Sequence, residues 1–161
     1  MVNEIENTSG KSLDKSKISF VDMCEDNMDI VYQLELDGFP HPWTKGCFRD
    51  ELKNDLSHYK IMYYDNKPVA YAGIWVMLDE AHVTKIAVSS DMRGNKLGKM
   101  IMKFMMSVAK NNGADRMTLE VRESNIIAQN LYKSLGFTVA GIRKKYYTDT
   151  KENGIIMWMD I

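Results

Sequence analysis

The chain has 161 residues, 45% of them hydrophobic and 27% charged, which fits one globular domain with a sizeable core. A formal net charge of −1 offers no whole-molecule attraction to nucleic acid or to an anionic membrane, so no direct nucleic-acid binding and no membrane partner are expected. No apolar run approaches the roughly 18 residues of a transmembrane helix, and two cysteines (Cys24, Cys47) and three scattered histidines make neither a disulfide framework nor a metal cluster; a reduced, cytoplasmic protein without a metal is expected.

Residues 1–16 are rich in Lys, Asn, Ser and Glu and read as a flexible tail ahead of a single domain over 17–161. The Asn7-Thr8-Ser9 sequon in that tail carries little weight without a secretory context. Ile18 to Val21 reads as a short strand. Asp26 or Asn27 can cap a helix carrying Ile30, Val31, Leu34 and Leu36, which Gly38 and the following prolines end. Phe39-Pro40-His41-Pro42-Trp43-Thr44 is a stiff aromatic segment. In it Trp43 either plugs the core or borders a ligand, and Thr44 can cap a second helix with Phe48, Leu52 and Leu56 on one side. His58–Tyr64, Val69–Met77 and Ala81–Val88 then read as an antiparallel meander, the middle strand apolar enough to be buried on both faces.

From Ile86 to Lys99 a strand runs into a glycine-bearing loop that opens a long helix. Leu97, Met100, Ile101, Phe104, Met105 and Val108 repeat with helical spacing, and Asn112-Gly113 supplies the stop. The loop offers unpaired N–H groups and the positive end of a helix dipole, with Arg93, Lys96 and Lys99 around it. Such a place suits a phosphate; an ordinary connection with solvated lysines is the alternative. Arg116–Val121 follows as a strand with Met117, Leu119 and Val121 on one face and Thr118, Glu120 and Arg122 on the other. Ser124 can cap a helix with Ile127, Ala128, Leu131 and Leu135, and Gly136 suits its C′ position. Phe137–Tyr147 and Ile155–Met159 are the last strands. The order predicts a mixed α/β fold: a mostly antiparallel sheet of six to seven strands flanked by four helices.

That order, with Arg93-Gly94-Asn95-Lys96-Leu97-Gly98, resembles the GCN5-related N-acetyltransferase (GNAT) superfamily. The family's signature is Arg/Gln-x-x-Gly-x-Gly/Ala, so Lys96 replaces its first glycine; this is compatible with the loop provided Lys96 avoids a positive φ. Leu119-Glu120-Val121-Arg122-Glu123-Ser124-Asn125, Ala128 and Leu131-Tyr132-Lys133-Ser134-Leu135-Gly136-Phe137 resemble the RimI branch. So do Pro42-Trp43-Thr44, Arg143-Lys144-Lys145-Tyr146-Tyr147 and Ile155-Ile156-Met157. The resemblance covers about residues 17–161.

It implies acetyl-CoA as co-substrate and the N-terminal alanine of a small-subunit ribosomal protein as acceptor, with direct transfer in a ternary complex. Cofactor contacts are implied for Ile86, Ala87, Val88, Arg93, Gly94, Asn95, Lys96, Leu97, Gly98, Lys99 and Asn125. Glu120 is implied as general base and Tyr132 as general acid, and Trp43, Tyr146 and Tyr147 as borders of the acceptor groove. Read from the residues alone, Glu120 can end a strand and pair with Arg122 or a neighbouring lysine, Tyr132 can pack the core and Asn125 can be a capping or turn residue. A GNAT for another protein N-terminus, a lysine or a small amine, and a silent CoA-binding module, are the alternatives. A monomer or weak dimer is expected.

Overall fold

Seven strands and four helices follow one another through residues 12–161, the part of the chain described by the structure, a computed structural model. The sequon and most of the N-terminal segment lie outside the described residues; within them, Leu13 packs against the core and Asp14 caps a single 3₁₀ turn. The strands are β1 (Ile18–Asp22), β2 (Ser57–Tyr64), β3 (Lys67–Met77), β4 (Glu80–Val88), β5 (Arg116–Arg122), β6 (Thr138–Arg143) and β7 (Gly154–Asp160). They form one sheet in the order β1-β2-β3-β4-β5-β7-β6, antiparallel throughout except for the β4–β5 pair. This is the mixed α/β architecture expected.

The helices divide over the two faces. Helix α3 (Leu97–Asn111) and helix α4 (Ile126–Leu135) share a core with Ala70, Ala72, Ile74, Met117, Leu119 and Met157. Helices α1 (Met28–Gly38) and α2 (Lys45–Leu52) close a second core on the other face, around Phe48, Tyr59, Ile61 and Tyr71. Because side chains alternate along a strand, Leu119 and Val121 face α3 and α4 while Thr118 and Glu120 face the opposite way.

Several boundaries and faces differ from the sequence reading, each for a local reason. In α4 the cap is Asn125, whose Oδ1 accepts from the Ala128 amide at 3.1 Å, rather than Ser124. The apolar stripe is then Ala128, Leu131, Tyr132 and Leu135, spaced i, i+3, i+4 and i+7, which leaves Ile127 86% exposed. Helix α2 ends at Leu52 because Asn54 Oδ1 accepts from the Leu56 amide, a turn that competes with further helix, and Leu52 and Leu56 stay partly in solvent. Leu36 is likewise exposed. In α3, Met102 and Ala109 are buried with Leu97, Ile101, Met105 and Val108, while Met100 and Phe104 sit on the flank, Phe104 stacked on Phe20. Strand β3 is buried from Val69 to Ile74, but Trp75 and Met77 emerge from it. The chain leaves β6 at Arg143, since Lys145 takes a left-handed φ of +53° and donates its amide to Asn153.

Candidate active site

Strands β4 and β5 pair only at one end, Glu80–His82 against Arg116–Thr118, and then part. The cause lies partly within β4. Gly73 pairs with Lys85 but Ile74 pairs with Val83, so Thr84 is an extra residue, a bulge that bends the strand. The Tyr59 hydroxyl meets Thr84 Oγ1 at 2.9 Å and fixes it there. A wedge opens between the C-terminal halves of the two strands, with unpaired backbone along both edges.

The loop predicted to suit a phosphate stands at the end of β4. Ser90 donates its amide and its hydroxyl to Asp37 of α1, at 2.6 and 2.8 Å. Asn95 Nδ2 donates to the Met92 carbonyl, and Arg93 Nε to that of Val88 at 3.3 Å. The first turn of α3 closes with Met100 N–H to Lys96 O, which leaves the amides of Leu97, Gly98 and Lys99 without partners inside the helix. Gly94 has φ +81°, and a Cβ at Gly98 would come within 3.2 Å of Leu131, so that glycine lets α3 approach α4. Lys96 departs from expectation: its φ is +62°, in the region that favours glycine. Among the described residues Arg93, Lys96 and Lys99 pair with no carboxylate; Lys99 donates to the Ser134 carbonyl. Free amides, a helix N-terminus and unneutralised cations suit a polyphosphate. Of the strand residues implied in cofactor contact, Ile86 and Val88 pack toward α3 and Ala87 toward α1.

Glu120 sits where the wedge begins. Its carboxylate is mostly buried, with Oε2 2.5 Å from His82 Nε2 and Oε1 3.2 Å from Arg143 Nε. The His82 hydrogen bond holds its pKa below the ordinary glutamate value, with the charges of His82 and Arg143 adding to this against the opposing effect of burial. Its ion-pair partners are therefore His82 and Arg143, not Arg122 or a lysine. Arg122 instead grips Asp149 and Glu152 and lies under the Tyr147 ring, 4.0 Å from its centroid.

Tyr132 is 6% exposed and packs edge-on against Phe137 in the core of α4. Burial pushes its phenol well above the usual range, and the neighbouring Tyr147 pushes it further. Its hydroxyl makes no hydrogen bond to a described residue, so a neutral O–H is held with its proton uncommitted. Asn125 Oδ1 is occupied as the cap of α4, the structural of its two expected roles.

The aromatic positions are split between two walls. Trp43 is half-buried on the α1–α2 side, tilted against Phe48. Tyr146 is 43% exposed and Tyr147 half-buried on the other wall, meeting edge-on, and the Arg143 guanidinium lies 5.7 Å from the Tyr146 ring centre. His41 of the α1–α2 segment stands 3.8 Å from Asp149, so the two walls approach each other there.

Three further residues organise the site. His82 holds Glu120. Glu35, fully buried in α1, accepts from the Tyr71 hydroxyl, from the Trp43 amide at 2.8 Å and from Lys85 Nζ at 2.7 Å. Glu35 follows Leu34 on the apolar stripe of its helix, and an acidic side chain on a core-facing stripe signals a buried partner. Lys85 could not be assigned to a face from alternation, because the bulge at Thr84 shifts the phase of β4.

Residues 28–137 match the model of the acetyltransferase (GNAT) family. Over 148 residues the chain is 40% identical to a Bacillus subtilis (strain 168) protein provisionally named ribosomal protein bS18-alanine N-acetyltransferase, covering 91% of this chain and 98% of that one. It is 33% identical over 137 residues, 84% of this chain and 92% of the other, to the ribosomal protein bS18-alanine N-acetyltransferase of Escherichia coli (strain K12). The crystal structure of the ribosomal-protein-S18-alanine N-acetyltransferase from Escherichia coli superposes with a TM-score of 0.82 at 31% identity, over 89% of this chain and 94% of that one. Ard1 from Thermoplasma volcanium, 20% identical, shares the fold with a TM-score of 0.81 over 90% and 98% of the two chains.

Proposed function

The chain belongs to the GNAT acetyltransferase family, and from that premise we propose that it acetylates the α-amine of the N-terminal alanine of ribosomal protein bS18. The acetyltransferase activity and its donor, acetyl-CoA, come with the family; the acceptor and the residue roles are our reading. The observation that carries it is a carboxylate paired with His82 and Arg143 at the strand wedge, in a chain that matches nearly the whole length of relatives named for this acceptor.

Acetyl-CoA supplies an acetyl group activated as a thioester. The residues fit it: the free amides of Leu97 to Lys99 and the cations Arg93, Lys96 and Lys99 would hold its phosphates, and the unpaired edge of Ile86–Val88 would receive its extended arm. Glu120 stays ionised at neutral pH and takes the proton of the incoming amine. Each carboxylate oxygen has one protein partner, which leaves lone pairs for the amine. A terminal α-amine has a pKa of about 8 against about 10.4 for lysine, so a fixed carboxylate has less to do for the former. Tyr132, kept neutral by burial, donates its proton to the departing thiolate. Trp43 and the Tyr146–Tyr147 pair border the acceptor.

The test is acetyl transfer to a peptide carrying the bS18 N-terminal sequence, beside the same peptide with a blocked N-terminus and an internal lysine. Preference for the free α-amine, lost in Glu120→Gln with acetyl-CoA binding retained, is the expected result. Turnover on lysine or small amines alone overturns the acceptor.

A further inference from the structure

The Glu120–His82 pair itself lines a groove of about 210 Å³ on its face of the sheet. Leu56, Trp75 and Met77 line it together with Glu80, Thr118 and Arg143. Register explains the grouping. Trp75 pairs with His82, Met77 with Glu80 and His82 with Thr118, so these side chains rise from one face. Helix α2 reaches the groove's edge through Glu51, and Trp75 and Met77 remain 38% and 61% exposed.

The electrostatics of the groove are unbalanced. Arg143 is engaged by Glu120. Arg116, the cation on the neighbouring strand, turns to Asp79 and Asp115. Glu80 is left half-buried with a single side-chain partner, the Thr118 hydroxyl at 3.4 Å, and no cation pairs with it among the described residues. Beside it the Trp75 indole is oriented by donating its N–H to Glu51 at 2.7 Å, and Glu51 also accepts from Ser57. An unneutralised carboxylate next to an exposed indole and a methionine complements a cation on an aliphatic stem.

The spacing ties this place to the reaction. Thr118 and Glu120 are alternate residues of one strand, roughly 6.6 Å apart. A chain whose amine lies at Glu120 therefore brings the side chain one or two residues further on to Glu80. We propose that this groove is an acceptor subsite that selects a lysine or arginine one or two residues after the acetylated α-amine. Glu80 is its counter-ion, and Trp75 and Met77 receive the stem. The inference rests on the α-amine reading above.

The experiment compares peptides that begin with alanine and carry lysine, glutamine or glutamate at the second and third positions, with the full chain and with Glu80→Gln and Glu80→Lys. The expected result is a kcat/KM about tenfold higher for lysine than for glutamate peptides, carried by the peptide KM. That ratio collapses in Glu80→Gln and inverts in Glu80→Lys, while the KM for acetyl-CoA stays fixed. The charge series on the unaltered chain tests the subsite even if a variant folds poorly. Turnover of all three peptides with no charge preference, or a preference untouched at Glu80, overturns the subsite and leaves the α-amine reading standing. No turnover of any free α-amine overturns both.

Discussion

Lys85 reaches from β4 to the buried carboxylate of Glu35 at 2.7 Å while its ammonium lies 4.2 Å from the ring centre of Phe39 and 4.6 Å from that of Trp43. Glu35 also receives the Trp43 amide, so one carboxylate ties a helix, a strand and the proline-rich segment together. Removing one partner of such a pair leaves an uncompensated charge. Lys85→Met should lower unfolding stability by about 3–5 kcal/mol in chemical denaturation. The double variant Lys85→Met with Glu35→Leu should lose less than the sum of the two singles. In variants that remain folded, the acceptor KM should rise more than that for acetyl-CoA.

The depressed pKa of Glu120 sets the sign of its pH dependence. A carboxyl more acidic in the folded than in the unfolded chain stabilises the fold above the ordinary value of 4.5, and that contribution is lost as pH falls through the lower folded value. The Tm gap between the chain and Glu120→Gln should therefore be full near pH 6 and close in acid. Since Glu120 remains ionised down to that range, the fall in kcat/KM below pH 8 should follow the α-amine of the acceptor, with its pKa of about 8. An inflection that moves with the acceptor's amine pKa checks this.

Tyr132→Phe separates packing from chemistry. The ring fills the core beside Phe137, and the hydroxyl has no partner to lose, so stability should change by less than about 0.5 kcal/mol. Turnover should fall on the order of 10²-fold with acetyl-CoA binding unchanged. Calorimetric titration alongside steady-state kinetics reads both.

Lys96 holds a left-handed backbone at φ +62° without glycine's freedom. Lys96→Gly should relieve about 1 kcal/mol of strain and raise Tm by about 2–4 °C. The same change removes a cation beside the free amides of α3, so acetyl-CoA should bind more weakly, most visibly at low salt.

The loop and its helix were legible because glycine, cation and helical spacing follow one another from Arg93 to Val108. What escaped depended on long-range placement. Glu120's partners come from β4 and the end of β6, 38 positions earlier in the chain and at Arg143. No local pattern links Lys85 with Glu35, 50 positions away. The reading of Ile127 as core failed at the edge of the stripe, because Tyr132 rather than Ile127 completes the face made by Ala128, Leu131 and Leu135.

The three-residue seam between β4 and β5 makes the sheet two plates joined at one corner, β1 to β4 on one side and β5, β7 and β6 on the other. Amides along the parted edges lack the ladder that slows hydrogen exchange elsewhere in the sheet. Those amides of Ile86–Val88 that face the gap rather than β3 should exchange quickly in the free protein and slow when a ligand spans the gap. Deuterium uptake at those amides thus reports occupancy of the wedge without any acetyl transfer. The same short seam is where the two plates can turn against each other most easily, so a cross-link placed there would stiffen the sheet at little cost to either core.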